Sequence, residues 1–575
     1  MTDNIGIARV FSDIRDLLEI KGANPFKNRA YRNAADIVGH MAESIADLTD
    51  ADIRSIPGIG KDLAAKIREI VDTEALVYFD ELRQEFPASI LDMLRLQGVG
   101  PKTVEILYAE LGIETLEELE SDATEGRLRQ LKGMGAKKEE LLLRSLAEHR
   151  TRVGRHLIGR ADAIATRLTE HLRTAAPDVT IFPIGSLRRG CETCGDIDLL
   201  AVGATDALMS HFVRFPDVER VLGQGQSKSS VLLRGDVQVD LRVVASESAG
   251  AAAQYFTGSK AHNIAVRDLA LQRGLKLNEY GLFRVADGEY VAGASEADVY
   301  AALGLAYVPP ELRKHRGEIE AAANGNLPRL IERSDLRGDL HSHTTATDGK
   351  ADVETMATAA RAAGLEYLAV TDHSQALAMA NGLDERRALD HAKRIREVSS
   401  TLEGITLLAG IECDIRADGT LDLADDCLTE LDLVVASVHS AFGQDEHQMT
   451  DRLLRAIESP MVDIIGHPTG RLLLRRAPYK LKLEPVFDAA ARTGVAMEIN
   501  SQFHHLDLSD SHAPLARERG VKLVISTDAH APTAFNLLRW GVTTARRAWA
   551  EPGDVLNTLP LDAFRASLRR HRVDE

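Results

Sequence analysis

The 575-residue sequence has little of what cross-links a chain or anchors it in a membrane. Four cysteines are too few for a disulfide framework, and no apolar run approaches the ~18 residues that span a bilayer. Basic residues are also in deficit, because 69 lysines and arginines face 87 aspartates and glutamates. The net charge of −18 weighs against a protein that coats nucleic acid through bulk positive charge. The first residues lack a basic segment followed by a cleavage site, so we expect a soluble, cytoplasmic protein.

Three Gly-x-Gly signatures recur in the first 150 residues, each next to a helix-period segment and a lysine. A Gly-x-Gly hairpin that leads into a helix leaves backbone N–H groups free and lets a phosphate approach closely. One copy could equally be an ordinary corner between helices, whereas three copies indicate helix–hairpin–helix units that bind a DNA backbone. The residues expected to contact DNA are Gly58, Gly60, Gly98, Gly100, Lys102, Gly133 and Gly135.

Three aspartates of the middle part are placed to share metal ions. Asp196 and Asp198 are separated by one residue at the start of a predicted strand, so their side chains face the same way. Asp240 lies on the polar face of the second strand of a predicted β-hairpin. Converging carboxylates repel one another unless divalent cations neutralise them, and oxygen ligands suit Mg²⁺ or Mn²⁺. With the nearby Gly185-Ser186 and arginines, this pattern predicts a two-metal site for phosphoryl transfer.

The last part of the sequence places histidine or a carboxylate at the ends of successive apolar runs. A strand, a ligand and a helix, repeated about seven times, is typical of a parallel β/α barrel whose rim carries the site. The candidate ligands are His341, His343, Asp348, His373, Glu412, His439, His467, Asp528 and His530. Imidazole and carboxylate without thiolate indicate a cluster of Zn²⁺, Mn²⁺ or Fe²⁺ ions. His504, His505 and His512 match none of these positions, and we interpret them as loop residues.

The motifs of residues 1–315 resemble those of the family X DNA polymerases. GSLRRGCETCGDIDLL, VQVDLRVV, YFTGSKAHNIAVR and GLKLNEYGLFR occur in the order and spacing of that family. The resemblance implies that Asp196, Asp198 and Asp240 hold two Mg²⁺ ions beside an incoming deoxynucleoside triphosphate. The nucleotide-site residues that it implies are Gly185, Ser186, Arg189, Tyr255, Phe256, Gly258, Asn263 and Arg267. A packed pair of core aromatic rings would also explain Tyr255 and Phe256.

The N-terminal segment is similar to the lyase module of the same family. Residues 26–32, with Lys27 and Tyr31, resemble its 5′-phosphate-binding stretch, and Lys66 matches its Schiff-base lysine. A desolvated lysine flanked by cations can attack an abasic-site aldehyde. Asp62 stands where the family has another lysine, so a solvated helix position is an equal interpretation of Lys66.

The ligand pattern of residues 336–575 resembles that of the polymerase and histidinol phosphatase (PHP) domain. Almost the whole chain resembles bacterial polymerases in which a family X polymerase is fused to a PHP domain. The resemblance implies three metals. His341, His343, Glu412 and Asp528 would bind the first, and Glu412, His439 and His467 the second. Asp348, His373 and His530 would bind the third. It implies a 3′→5′ exonuclease, with abasic-site endonuclease or 3′-phosphatase action. A purely structural metal site is the alternative.

The predicted fold is multidomain: an α-helical helix–hairpin–helix region, an α+β nucleotidyltransferase palm with a thumb-like subdomain, and a distorted (β/α)7 barrel. The predicted segments are 1–85 (lyase-like helix–hairpin–helix), 86–150 (fingers-like, DNA-binding), 151–250 (palm), 251–320 (thumb-like nucleotide selection), 321–335 (linker) and 336–575 (PHP).

We expect a monomeric DNA polymerase that fills short gaps in base excision repair. Its partners would be gapped or primed DNA and deoxynucleoside triphosphates, with no membrane. Two alternatives are a nucleotidyltransferase joined to a small-molecule phosphoesterase and a DNA-binding scaffold with idle catalytic sites. The glycine hairpins count against the first alternative, and the intact Asp196, Asp198 and Asp240 count against the second.

Overall fold

The computed structural model divides the chain into two compact units, Met1–Gly154 and Arg155–Glu575. It describes residues 4–40, 45–56, 58–73, 75–87, 89–94, 96, 99–131, 134–152, 154–203 and 206–568. Two of the predicted DNA contacts, Gly98 and Gly133, lie outside these residues. Within the described ranges, none of the helices has both the length and the apolar character of a membrane span.

The first unit is built from helices around one hydrophobic core. Its helices are α1 (Asn4–Ile20), α2 (Pro25–His40), α3 (Asp50–Ser55), α4 (Lys61–Thr73), α5 (Val77–Gln84), α6 (Ile90–Leu94), α7 (Pro101–Leu111), α8 (Leu116–Thr124) and α9 (Ala136–Arg152). Phe11, Ile67 and Leu107 are fully buried in the core. Capping boxes at Thr49 and Thr115 satisfy the first N–H groups of α3 and α8 and fix where these helices begin.

The described glycines of the three hairpin signatures lead directly into helices. Gly60, Gly100 and Gly135 each stand immediately before α4, α7 and α9. Gly58 has φ +90°, and a Cβ atom there would lie 2.6 Å from Ile37 Cδ1, so this turn requires glycine. The first turn of each helix presents N–H groups that have no partner within the helix.

The middle of the chain, over residues 155–203 and 206–245, contains the predicted α+β palm. Its elements are β1 (His156–Leu157), α10 (Ile158–Ala175), β2 (Thr180–Pro183), α11 (Gly185–Arg188), β3 (Thr193–Cys194), β4 (Ile197–Val202), α12 (Asp206–Phe212), β5 (Val218–Gln224), β6 (Lys228–Leu233) and β7 (Val237–Val244). The main sheet has the order β2-β4-β7-β6-β5, and β6 and β7 form the predicted antiparallel hairpin. Val237, Val239 and Leu241 are buried in its core, as their alternation predicts.

Residues 249–323 form the predicted thumb-like part. Its elements are α13 (Ala249–Thr257), α14 (Lys260–Gln272), β8 (Leu275–Asn278), β9 (Gly281–Arg284), β10 (Tyr290–Ala292), α15 (Glu296–Ala302) and α16 (Glu318–Ala323). The strands pair as an antiparallel sheet with the order β10-β9-β8. His262 is fully buried and bonds Glu318 at 2.6 Å and Tyr300 at 2.8 Å, which ties α14 to α16 and α15.

Residues 336–568, which the structure describes without a gap, form a distorted (β/α)7 barrel. Its strands are β11 (Gly338–Asp339), β12 (Tyr367–Val370), β13 (Thr406–Asp414), β14 (Leu433–Ser437), β15 (Ile464–Ile465), β16 (Ala496–Asn500) and β17 (Leu523–Ser526). Its helices are α17 (Val353–Ala362), α18 (Glu385–Thr401), α19 (Asp425–Thr429), α20 (Glu446–Glu458), α21 (Leu483–Thr493), α22 (His512–Glu518), α23 (Leu538–Arg547) and α24 (Leu561–Ser567).

The barrel strands run parallel in their order along the chain. A bridge between Ser342 and Ala529 joins the segments that follow β11 and β17, so the sheet is nearly closed. The carboxyl ends of all these strands therefore converge on one rim. This arrangement confirms the predicted fold class.

The barrel contributes side chains to the core of the palm. Leu506 and Trp540 are buried in that core, and Phe503 packs against it. A Cβ atom on Gly159 of α10 would lie 2.9 Å from the Phe503 ring, so this ring packs directly against the backbone of α10. The palm and the barrel thus share one apolar interior.

Candidate functional site

The three predicted aspartates meet at two neighbouring inner strands of the palm sheet. Asp198 and Asp240 are register partners on the parallel strands β4 and β7, and Asp196 immediately precedes β4. Burial, together with repulsion from Asp196 and Asp240, raises the pKa of Asp198 to about 6. Burial also opposes ionisation of Asp240, but hydrogen bonds from Lys228, Ser230 and Gln238 hold its pKa below the ordinary value. Such a cluster of carboxylates fits divalent cations, which would offset the repulsion.

A tight turn presses the palm backbone against this carboxylate cluster. Gly185 begins the one-turn helix α11 with φ +64°, and a Cβ atom there would lie 2.7 Å from Asp198 Oδ2. Only glycine combines that conformation with so close an approach. The turn therefore holds the backbone at Gly185, just before Ser186, against the Asp198 carboxylate.

Two arginines connect this turn to the thumb-like part. The Arg188 guanidinium pairs with Glu296 and donates to Thr257 Oγ1 at 2.7 Å. The Arg189 guanidinium donates to the main-chain carbonyl of Thr257. A Cβ atom on Gly258 would lie 3.0 Å from Arg189 Nη1, so a larger residue there would crowd the guanidinium. Predicted nucleotide-binding residues of both parts thus lie side by side.

The other predicted nucleotide-site residues lie on α13 and α14. The rings of Tyr255 and Phe256 pack edge to face with centroids 5.1 Å apart, and the Arg242 guanidinium lies 4.1 Å from the centre of the Phe256 ring. The Asn263 side-chain amide donates to the Tyr255 carbonyl at 2.6 Å. Arg267 is exposed. Both rings are half-buried, and Phe256 packs against a small apolar cluster formed by the palm and α13.

The nine predicted ligands of the barrel converge on its rim. They form three groups whose ligand atoms lie within 4.8 Å of one another, namely His343, Asp348, His373 and His530; His341, His343 and Asp528; and His373, Glu412 and His439. His467 joins them through its Nε2 atom, 3.0 Å from Glu412 Oε1. His343 and His373 each belong to two groups, so the ligand atoms form one continuous cluster.

The chemistry of this cluster fits metal ions. His343 Nδ1 is buried without a hydrogen-bond partner, and other ligand atoms face only one another: His373 Nδ1 lies 2.8 Å from Glu412 Oε2, and His343 Nε2 lies 3.1 Å from Asp528 Oδ1. Orphaned polar atoms in a buried site are costly unless a further group satisfies them. Burial opposes ionisation of Glu412, but the surrounding imidazoles, first His439, hold its pKa well below the ordinary value. Buried imidazole and carboxylate ligands suit Zn²⁺, Mn²⁺ or Fe²⁺.

Three polar residues behind the ligands were missed by the sequence reasoning. Glu498 on β16 accepts from His341 Nδ1 at 2.8 Å, and Asp414 at the end of β13 bonds His439 Nδ1 at 3.1 Å. The Asn500 amide donates to the carboxylate of Asp528 at 3.1 Å. Carboxylates of this kind orient a ligating imidazole and fix which nitrogen faces the metal. Polar residues that alternate within the apolar segment VAMEIN are the signal that could have indicated Glu498 and Asn500.

One predicted loop histidine contacts the cluster. His505 is a loop residue, as predicted, whereas the same prediction is wrong for His512, which begins α22. The His505 ring lies parallel to that of His467 with centroids 5.5 Å apart. Its carbonyl accepts from Arg471 Nε at 2.9 Å, and Arg471 also pairs with Glu192 of the palm at 2.8 Å. The rim of the barrel is therefore tied to the palm loop that precedes Asp196.

The first unit has a cluster of lysines and tyrosines. Lys27 Nζ donates to the Tyr78 hydroxyl at 2.8 Å, and Lys66 Nζ lies 5.3 Å from the centre of the Tyr78 ring. The Tyr31 and Tyr78 rings are stacked 6.3 Å apart. Lys66 is 15% exposed and forms an ion pair with Asp62. The three residues predicted for lyase chemistry thus surround Tyr78, which the sequence reasoning did not single out.

Family models match each of these parts. They are a helix–hairpin–helix domain (residues 2–76), a SAM-like helix–hairpin–helix tandem (90–148), the DNA polymerase beta palm (158–225), the DNA polymerase beta thumb (252–314) and the PHP domain (339–502). The chain is thus a beta-type nucleotidyltransferase joined to a PHP barrel.

Curated relatives match both the whole chain and the barrel alone. The "DNA polymerase/3′-5′ exonuclease PolX" of Bacillus subtilis is 38% identical over 98% of this chain and 99% of its own length. Probable phosphatases of Shewanella sp. and Thermoanaerobacter sp. are 32% and 29% identical over 35% and 38% of this chain, and over 77% and 89% of their own lengths. The chain belongs to the PolX family.

Proposed function

We propose that this protein is a DNA polymerase that fills short gaps during repair and removes nucleotides from 3′ ends with its PHP domain. One observation carries the proposal: the palm brings Asp198 and Asp240 together on neighbouring strands, and a separate rim gathers the nine predicted metal ligands. The PolX relative, whose name pairs the same two activities, matches the chain from end to end. We further propose a monomer with the functional segments predicted above.

In the polymerase site, Asp196, Asp198 and Asp240 would hold Mg²⁺ or Mn²⁺. Bound ions would align the primer 3′-hydroxyl with the α-phosphate and offset the negative charge that develops there. The Ser186 hydroxyl and the Arg189 guanidinium would bind the triphosphate of the incoming nucleotide.

The thumb-like part would select the nucleotide. Tyr255 and Phe256 would pack against the sugar and exclude a ribose 2′-hydroxyl. Asn263 would reach the minor-groove edge of the base, and Arg267, which is exposed, would contact the template.

In the barrel, the nine ligands would hold a cluster of Mn²⁺, Zn²⁺ or Fe²⁺ ions. Such ions polarise a phosphodiester and supply a nucleophile at neutral pH. Glu498 and Asp414 would keep His341 and His439 in the ligating tautomer. The probable phosphatases that match the barrel favour a second activity, removal of a 3′-phosphate, at the same site.

The first unit would hold the DNA backbone. The turns that end at Gly60, Gly100 and Gly135 would offer N–H groups to phosphates, and Lys102 is exposed in the first turn of α7. Binding of this kind is tolerant of sequence and weakens as salt rises. Gapped or primed DNA fits such a protein better than a small-molecule substrate.

Lyase chemistry at Lys66 is an additional proposal. The two cations Lys27 and Lys66 converge on Tyr78, and this pairing supports the proposal because one cation could bind a 5′-phosphate while the other attacks an abasic sugar. Borohydride should trap abasic DNA on the wild type and on Lys61→Ala, whose exposed lysine begins the same helix, but not on Lys66→Ala. An adduct that persists in Lys66→Ala, or none with the wild type, would refute it.

The main test uses one labelled, gapped DNA with Mn²⁺ and deoxynucleotides. Asp196→Ala/Asp198→Ala should lose extension and keep 3′ degradation, whereas His341→Ala/His343→Ala should do the reverse. Binding without extension by the wild type would instead favour a scaffold. Extension without degradation of any 3′ end would indicate a structural metal site or a phosphoesterase for small molecules.

A further inference from the structure

A helix of the barrel packs directly against the turn assigned above to the incoming triphosphate. Gly190 follows this turn with φ +65°, and a Cβ atom there would lie 2.1 Å from Thr543 Cγ2 of α23. Arg547, the last residue of α23, is only 7% exposed. Its Nη1 donates to the main-chain carbonyl of Arg189. A buried cation of the barrel therefore touches the backbone of the polymerase site.

Arg547 is held in place by a carboxylate between two cations. Its Nε donates to Asp510 Oδ2 at 2.6 Å, and the same oxygen accepts from Lys314 of the thumb-like part. Both Asp510 and Lys314 are mostly buried. A buried guanidinium with fixed partners has little freedom to rotate away from the carbonyl it bonds.

Arg189 is consequently fixed at both ends. Arg547 binds its carbonyl, and the Thr257 carbonyl binds its guanidinium. A side chain that is already oriented gives up less conformational freedom when it meets a triphosphate.

We propose that Arg547, oriented by Asp510, is a positioning residue for nucleotide binding by the polymerase. The proposal rests on the polymerase function proposed above and adds to it a determinant that lies in the PHP part of the chain. Loss of the Arg547 guanidinium leaves the Arg189 carbonyl without its donor, so the turn shifts and the triphosphate binds more weakly. Because the aspartates are untouched, the KM for the nucleotide changes and kcat does not.

The test compares four variants on gapped DNA. Arg547→Ala should raise the KM for deoxynucleotides about tenfold and leave kcat within about twofold. Asp510→Asn should raise it less, and Arg547→Lys, which keeps the charge, should recover part of the affinity. Arg539→Ala is the matched control, because Arg539 also lies on α23 and pairs with Asp162 of the palm at 2.7 Å. Equal KM values for Arg547→Ala and Arg539→Ala would overturn the proposal.

A second measurement separates this proposal from the polymerase function. Nucleotide affinity is titrated with Mg²⁺ on gapped DNA whose primer ends in a dideoxynucleotide, which needs no catalysis. If the wild type binds nucleotide without extending primers, the polymerase function fails, and a tenfold affinity difference still supports the role of Arg547. If the wild type neither binds nor extends, both fail. A KM that rises only with an equal loss of 3′ degradation and a lower Tm would indicate a purely structural role and overturn the proposal.

Discussion

Arg471 of the barrel rim and Glu192 of the palm form an ion pair with an N–O distance of 2.8 Å across the shared interior of the two parts. The Arg471 side chain is 9% exposed and also donates to the carbonyls of His505 and Leu506. The His505 ring in turn stacks on His467, one of the predicted ligands. The palm thereby helps to hold one wall of the cluster of predicted ligands.

Replacing Arg471 should therefore weaken the nuclease more than the polymerase. Arg471→Ala removes the donor to two carbonyls, each of which costs roughly 1–3 kcal/mol when it is buried without a partner. The loop that carries His505 then shifts, and we expect 3′ degradation to require about tenfold more Mn²⁺. Titration of Mn²⁺ in a degradation assay measures this shift. An unchanged Mn²⁺ requirement would show that the loop holds its place without Arg471.

Glu498 should affect the nuclease although it is not among the predicted ligands. Glu498→Gln keeps the shape but weakens the bond to His341 Nδ1, so we expect roughly a 10- to 100-fold loss of 3′ degradation. Primer extension should stay at the wild-type rate. Glu484→Gln serves as the control, because Glu484 is exposed near the start of α21, the helix that precedes β16. Wild-type degradation by Glu498→Gln would refute the orienting role.

Gly185 should be essential for synthesis and dispensable for degradation. Gly185→Ala introduces a side chain at φ +64° and directs it at Asp198 Oδ2, so the turn must move away from the carboxylates. We expect at least a tenfold loss of primer extension, with 3′ degradation retained. Gly288→Ala, at φ +75° in open space, carries similar backbone strain without the collision and should extend normally.

Asp198 should make the metal-free protein less stable as pH rises. Its pKa increases from an ordinary value of 3.8 to about 6 on folding, so the folded state binds the proton more tightly than the unfolded chain. Stability is then greatest below pH 4, falls as pH rises to about 6, and changes little above it. With a chelator present at pH 8, Asp198→Asn should therefore raise Tm by roughly 2–4 °C.

Two controls define this effect. At pH 4 the difference in Tm should shrink, because the wild-type carboxyl is then protonated as well. Saturating Mg²⁺ should stabilise the wild type more than Asp198→Asn, because the ion neutralises the repulsion. A variant that is less stable than the wild type at pH 8 would show that hydrogen bonds to Asp198 outweigh its repulsion.

The sequence was sufficient to predict the fold class and to predict which polar residues lie at the ends of strands. Asp196 and Asp198 are two positions apart, Asp240 alternates with the apolar residues of its own strand, and ligands such as His373 and His439 each end an apolar run, so local spacing carries the signal. The expected ligand grouping stays a prediction, and His343 lies within reach of two of the groups.

Contacts between distant parts of the chain could not be predicted in this way. Arg189 and Arg547 are 358 positions apart, and nothing in the local pattern of either indicates the other. Tyr78 lies between Lys27 and Lys66 only because separate helices of the first unit pack together. Such pairs arise from tertiary packing, which a period of two or 3.6 residues does not encode.

Because Phe503 and Leu506 of the barrel complete the palm core, the polymerase and PHP parts are difficult to separate or exchange. A chain truncated after residue 335 would expose the side of the palm core that the barrel normally covers. Exposed apolar surface of this kind promotes aggregation and degradation. The barrel alone would expose the complementary apolar surface around Phe503 and Leu506. Exchange of either part for a foreign one would therefore also require matching changes in the side chains that the two parts share.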